Sequence, residues 1–236
     1  MIMKICIVGA NGRMGQAIIQ IAQMQNIIIH SAVIRENTQY HGVALTQNNT
    51  KISNHIEKGA DVILDFSNHQ STLNNIKSAV QYNIPILIGT TGSHTASDYK
   101  AYQNIIPILW APNTSISWSI IQSSIEKINK IRNLAVSIGE VHHKNKADNP
   151  SGTTKQLHDK IQADQIWSLR AGDNMSMHQF LGLNNQEMIR FEHQVFNRKI
   201  YANDALKVCE WLVNQNPGLF TMQAFINNLS EITSLN

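Results

Sequence analysis

Cysteine is almost missing from this chain: Cys6 and Cys209 are the two in 236 residues. That excludes the disulfide framework of a small secreted domain. The two thiols fall in a predicted strand and a predicted helix and are read as buried, in a reducing, cytoplasmic setting. Long apolar runs are missing too. The first strand (MIMKICIVG) begins with no charged leader or cleavage site ahead of it, so neither a membrane span nor a signal peptide is expected. Charge is sparse, at 15% of residues and a formal net +3. No Lys/Arg stripe interleaves with aromatics, which argues against nucleic acid as a partner and suits a small anionic ligand. Repeats and low-complexity tracts are absent. What is present, 42% hydrophobic residues, suffices for one large domain or two modest ones.

The first half reads as alternating strands and helices. Ile2–Val8 is a short β-branched run, followed by Gly9-Ala-Asn-Gly-Arg-Met-Gly15 and then QAIIQIAQMQ at helical spacing. Strand, glycine turn and helix in that order form a dinucleotide-binding start, with a pyrophosphate seated on the helix N-terminus. The second strand, Asn26–Ile34, ends on Ile34 where an NAD site often carries an acid, and Arg35 follows. An arginine there can pair with a 2′-phosphate, so NADPH is expected to serve at least as well as NADH. Three more apolar runs, Asp61–Phe66, Ile84–Gly89 and Ile105–Trp110, end in polar or glycine-rich residues that include Asp65, Thr90 and Asn113. Short spacing between strands and helices predicts a parallel, doubly wound sheet whose carboxyl ends bind the cofactor.

The densest chemistry lies in EVHHKNKADNPSGTT, Glu140–Thr154. Its predecessor LAVSIGEV alternates like a strand, and KQLHDKIQA behind it is helix-compatible. Imidazoles and ammonium groups therefore meet a Ser/Thr-capped helix start, a site for a carboxylate or phosphate with a proton source near neutral pH. A solvated loop is the competing reading of such a run. Ser117–Arg132 has apolar residues at helical spacing, as core helices do. Met177–Leu183 and Glu187–Phe196 read as a β-hairpin that joins the strand before His142 in a mixed or antiparallel sheet, and the open sheet predicts subunit pairing. Tyr201–Asn214 and a last short helix are expected to pack back on the first domain. The division expected is a dinucleotide-binding domain over 1–114, completed by 200–236, and a substrate and oligomerisation domain over 115–199.

Several stretches, in order along nearly the whole chain, resemble the dihydrodipicolinate reductase (4-hydroxy-tetrahydrodipicolinate reductase) family. GANGRMG is similar to its glycine loop, DVILDFS and IGTTG to the strand ends at nicotinamide, and APNTS to its hinge. EVHHKNKADNPSGT matches the signature E-x-H-H-x-x-K-x-D-x-P-S-G-T, and RAGD and NRKIYANDA also have counterparts. The resemblance implies a Rossmann domain rejoined by the C-terminal segment, an inserted domain that builds a homotetramer in many members, and NADPH or NADH as hydride donor. It implies reduction of a cyclic dicarboxylate imine, with His142 as proton donor and Lys146 as second catalytic group. His143, Lys146, Ser151, Gly152 and Thr153 would hold the carboxylates. Gly9, Asn11, Gly12, Arg13, Met14, Gly15, Arg35, Asp65, Phe66, Gly89, Thr90, Thr91, Ala111 and Asn113 would line the cofactor site. No metal is expected.

The sequence departs from the pattern at Ser117 (usually glycine), at Asn68-His69 (usually containing proline), at Ile34, and in a shortened segment before Arg170. Three other readings fit parts of the chain. A semialdehyde or phospho-aldehyde dehydrogenase would need a nucleophilic cysteine, and neither Cys6 nor Cys209 is placed for that. A regulatory dinucleotide binder without turnover would not need His142 and Lys146 together. A degenerate reductase would be one made slow by the shortened segment before Arg170.

Overall fold

Lys4–Val8 (β1) is a five-residue strand with four buried positions, as a run of Ile, Cys and Val in the middle of a sheet requires. The computed structural model describes residues 2–45, 50–92, 95–146, 148–173 and 176–233. After β1 come α1 (Arg13–Met24), β2 (Ile28–Val33), β3 (Lys51–Ser53), β4 (Val62–Asp65), α2 (His69–Tyr82), β5 (Ile86–Ile88), a 3₁₀ turn over Ala96–Tyr102, and β6 (Pro107–Trp110). The chain continues through α3 (Ile116–Ile131), β7 (Ala135–His142), α4 (Gly152–Ile161), β8 (Gln165–Arg170), β9 (Ser176–Leu183) and β10 (Met188–Val195). It finishes with α5 (Lys199–Leu212), β11 (Gly218–Thr221) and α6 (Met222–Thr233). No helix among the described residues is long and apolar enough to cross a membrane.

Two compact units result: Met1–Thr114 with Lys199–Asn236, and Ser115–Arg198. The first holds a seven-stranded sheet, β11-β6-β5-β4-β1-β2-β3, with every pairing parallel. Its strands therefore end along one edge, the edge where open α/β sheets bind ligands. The core is aliphatic, with Ile63, Ile76, Ile86, Ile106 and Ile108 wholly buried. Asn68 starts α2 by accepting from the amides of Gln70 and Ser71, both at 3.1 Å. On the other side α5 lies along α1, where Gln25 Nε2 donates to Asn203 Oδ1 at 2.8 Å.

The second unit is a four-stranded mixed sheet, β10-β9-β7-β8. β7 pairs antiparallel with β9 and parallel with β8, so β7-α4-β8 is a crossover unit. The predicted hairpin is β9-β10, in register from Met188 opposite Leu183 to Val195 opposite Ser176. Trp118 and Ile125 of α3 pack on Val136, Ile138, Phe180 and Leu157 to form a separate core. β3, β8, β11 and the 3₁₀ turn add elements beyond those the sequence pattern delineates.

Candidate active site

In the first unit the glycine loop joins β1 to α1. Gly9 has φ +82°, and a Cβ there would lie 2.6 Å from the Phe66 carbonyl oxygen. A Cβ on Gly15 would lie 2.4 Å from the Gly9 carbonyl oxygen. Backbone meets backbone at both places, and only glycine permits it. Gly12, the α1 N-cap, carries no side chain, so nothing of its own covers a helix start that includes Arg13 and Met14. Asn11 ties this loop to the next one, donating to Gln39 O and accepting from the His41 amide, both at 3.1 Å. This is the geometry that a pyrophosphate needs, and the residues fit a dinucleotide.

The other expected cofactor residues sit at neighbouring strand ends. Arg35 is exposed just after β2, beyond the buried Ile34. Phe66 follows β4 and lies against Gly89, where a Cβ would come 2.1 Å from its ring. Thr91 is exposed, Ala111 is buried and receives its register from Ile88, and Asn113 is half-buried. Asp65, expected among the residues lining the cofactor site, is wholly buried. It accepts from the Ser67 amide at 3.0 Å, Asn75 Nδ2 at 3.0 Å and Thr90 Oγ1 at 3.2 Å. Asp65 and Thr90 thus brace the loops from inside, because an uncompensated carboxylate at a buried strand end would cost too much.

In the second unit the signature residues gather where β7 ends and α4 begins. His142 is 6% exposed, and Lys146 follows on the loop, its amide donating to His143 O at 3.1 Å. Asn149–Pro150 is a cis peptide. Lys146 Nζ lies 2.7 Å from Asp148 Oδ1, and the other Asp148 oxygen accepts from the Gly152 amide at 3.2 Å. Burial pushes the Asp148 carboxyl up, and its bonds to Lys146 and Gly152 outweigh this and lower it. A protein carboxylate therefore bridges the ammonium group and the helix start that the sequence assigns to a substrate carboxylate. His143 and Thr153 stand half-buried beside them.

Ser151 departs from the expected role. It is 2% exposed, and both its amide and its hydroxyl donate to Glu140, while the hydroxyl accepts from the Thr154 amide at 3.3 Å. Its donors are committed inward, so Ser151 acts as the helix cap rather than through a free hydroxyl. Glu140, which the sequence reading left without a role, is the hub. It also accepts from Thr154 Oγ1 at 2.5 Å, Ser168 Oγ at 3.2 Å and Arg170 Nη2 at 2.7 Å. Burial raises the Glu140 carboxyl, but the nearby His142 ring and bonds from Ser151, Thr154 and Arg170 prevail and hold it far below the usual carboxylate range.

His142 Nδ1 lies 3.6 Å from Glu140 Oε2, an ion-pair distance longer than a hydrogen bond. His178 on β9 places its ring 5.0 Å from that of His142, edge to face, with Trp118 at 4.9 Å on its other side. Burial first, then the neighbouring His142, depress His178 to about 3, so it is neutral at physiological pH. Glu140, His142 and His178 bring ligand-type atoms within 4.8 Å of one another. The guanidinium of Arg170 on the same carboxylate repels a cation, so the cluster suits hydrogen bonding and not metal binding. Neither cysteine offers a thiolate: burial raises Cys6 to about 11 and pushes Cys209 higher still.

A parallel sheet with a glycine-loop helix start, together with a protonatable strand end beside an anion-binding helix start, defines a dinucleotide-dependent oxidoreductase. Comparison with known proteins narrows the class. The family models for dihydrodipicolinate reductase match this chain over both halves, the N-terminal model at residues 3–114 and the C-terminal model at 117–226. The chain belongs to the dihydrodipicolinate reductase family.

Among its relatives, the 4-hydroxy-tetrahydrodipicolinate reductase of Buchnera aphidicola subsp. Cinara cedri is 30% identical, covering 96% of this chain and 97% of the relative. That of Bdellovibrio bacteriovorus is 28% identical, over 93% and 94%. The fold is similar to a dipicolinate-bound dihydrodipicolinate reductase from a Paenisporosarcina species, with TM-score 0.76, 17% identity, and coverage of 94% and 98%.

Proposed function

We propose that this enzyme reduces 4-hydroxy-tetrahydrodipicolinate, a cyclic imine carrying two carboxylates, to tetrahydrodipicolinate. The observation that carries the reading is the convergence of His142, Lys146 and the α4 start in a chain whose two halves both match the reductase family. The Gly9–Gly15 loop would hold the pyrophosphate of a reduced nicotinamide dinucleotide and the ends of β4 and β5 its nicotinamide, which would supply the hydride. The chain's own groups do the rest. Lys146, the Gly152 amide, Thr153 and His143 bind the substrate carboxylates, taking over the position that Asp148 holds by itself. Hydride addition to the conjugated ring accompanies loss of water, and His142 delivers the compensating proton. NADPH is expected to be used at least as well as NADH, because Arg35 is the charge that follows β2.

The test is oxidation of each reduced nicotinamide, followed by its loss of near-ultraviolet absorbance, with substrate generated in situ by the preceding synthase. Rapid oxidation that depends on the synthase is the expected result. Replacing His142 by Gln is expected to lower turnover by about two to four powers of ten and to spare cofactor binding. Near-normal turnover in that variant sinks the assignment of His142. Cofactor binding without any turnover in the unaltered enzyme would favour a regulatory dinucleotide binder instead.

A further inference from the structure

Glu140 has no part in the chemistry above, yet among the described residues it is heavily engaged. It is wholly buried, and five donors from four residues converge on it: the Ser151 amide and hydroxyl, Thr154 Oγ1, Ser168 Oγ and Arg170 Nη2. Taking an anion out of water and surrounding it in this way is expensive. Starting α4 does not need it, since the Ser151 hydroxyl already accepts from the Thr154 amide. A neutral glutamine could satisfy several of these donors. Besides Arg170, two imidazoles face this charge: His178, which burial keeps neutral, and His142.

The Nδ1 atom of His142 lies 3.6 Å from Glu140 Oε2 and has no hydrogen-bond partner among the described residues. An imidazole that gives up a proton from Nε2 passes from a cation to the neutral tautomer that keeps hydrogen on Nδ1. A carboxylate opposite Nδ1 favours both forms over the other tautomer, as in other carboxylate–histidine pairs. Glu140 and His142 are two apart on β7, so they emerge on the same face. His178 lies beside both groups, its ring 5.0 Å from that of His142 and its Nε2 4.0 Å from the same Glu140 oxygen, and being neutral it brings no competing charge.

We propose that Glu140 is a positioning residue for proton transfer: fixed from α4 and β8, its carboxylate holds His142 with Nδ1 inward and leaves Nε2 for the substrate. The inference rests on the reading of His142 as proton donor. It also ties the donor to the anion site, because the same carboxylate holds Ser151, the residue from which α4 starts.

A double-mutant cycle tests it, with kcat and KM measured for the unaltered enzyme, Glu140→Gln, His142→Gln and the double variant, and folding checked by circular dichroism. Glu140→Gln is expected to lower kcat by about 10- to 100-fold with KM nearly unchanged, the range for losing a partner that orients a histidine. In the His142→Gln background the same change is expected to cost nothing further. An equal kcat loss in both backgrounds, or a loss confined to KM, overturns the proposal and leaves Glu140 as scaffold for α4. Near-normal kcat in His142→Gln alone overturns the donor reading itself, and the proposal with it. Should Glu140→Gln not fold, Glu140→Asp enters the same cycle, since it keeps the charge while drawing the carboxylate back from Nδ1.

Discussion

At the scale of single residues, the chemistry that sequence exposes is the kind written locally. His142, Lys146 and Gly152 stand on the stretch that joins β7 to α4, and the glycines at 9, 12 and 15 on the one that joins β1 to α1. Glu140 was visible in the same stretch, but its importance was not, because its partners Ser168 and Arg170 come from another strand and His178 from a third. Asp65 shows the converse: a polar residue at a strand end looked available and is internally consumed. Arg35, by contrast, is exposed after β2, where a ribose phosphate would fall in a fold of this class. Replacing Arg35 by Ala is expected to weaken NADPH by about tenfold or more, the worth of one charge-assisted contact, and to leave NADH nearly unchanged. Titration of each cofactor against the two proteins measures this, and equal losses would refute a phosphate contact.

Elements were read well wherever burial gave them a clean period. The aliphatic strands β1, β4 and β5 announce themselves, and so do α1 and the β9-β10 hairpin. β8 was not recognised for a physical reason. Its Ser168 and Arg170 point to Glu140, while Trp167 and Leu169 on the opposite face are 39% and 52% exposed. Its polarity is thus inverted, with polar groups inward and apolar ones outward, and no periodicity rule places such a strand. β9 carries a second consequence of burying polar groups. The His178 imidazole titrates near 6.5 in the unfolded chain but at about 3 when folded.

The unfolded form therefore binds more protons between those values, and the stability this group contributes, complete above about 6.5, falls as pH drops toward 3. The slope reaches at most about 1.4 kcal/mol per pH unit. Glu140 adds its own loss only below about 4.3, where a free glutamate protonates. Urea unfolding at pH 7 and pH 5 is expected to show a lower midpoint at pH 5, and His178→Gln is expected to shrink that difference. An unchanged difference would assign the acid sensitivity elsewhere.

On the scale of the whole chain, composition admits one large domain or two modest ones, and the change of pattern at the hairpin from Met177 points to a second architecture. Self-association is not written in either core. We propose the outer face of the β10-β9-β7-β8 sheet for it, where Trp167 and Leu169 on β8 meet water within one chain. An open sheet of this size with apolar side chains outward is expected to pair with another copy. Leu169→Arg is expected to yield a smaller species by light scattering, while the glycine-loop unit still binds cofactor. An unchanged mass would place any subunit contact on another surface.

The way β7 divides its residues also sets which changes of length this enzyme can survive. Glu140 and His142 share the inner face with Val136 and Ile138, while Gly139, over which the Trp167 ring lies, belongs to the outer one. Deleting one residue from that strand would turn His142 and Glu140 together toward the outside and bring Gly139 into the core. Length can change freely only where the chain turns. The alignment with the Buchnera relative spans 268 positions against the 236 residues here, so insertions have accumulated between the two proteins.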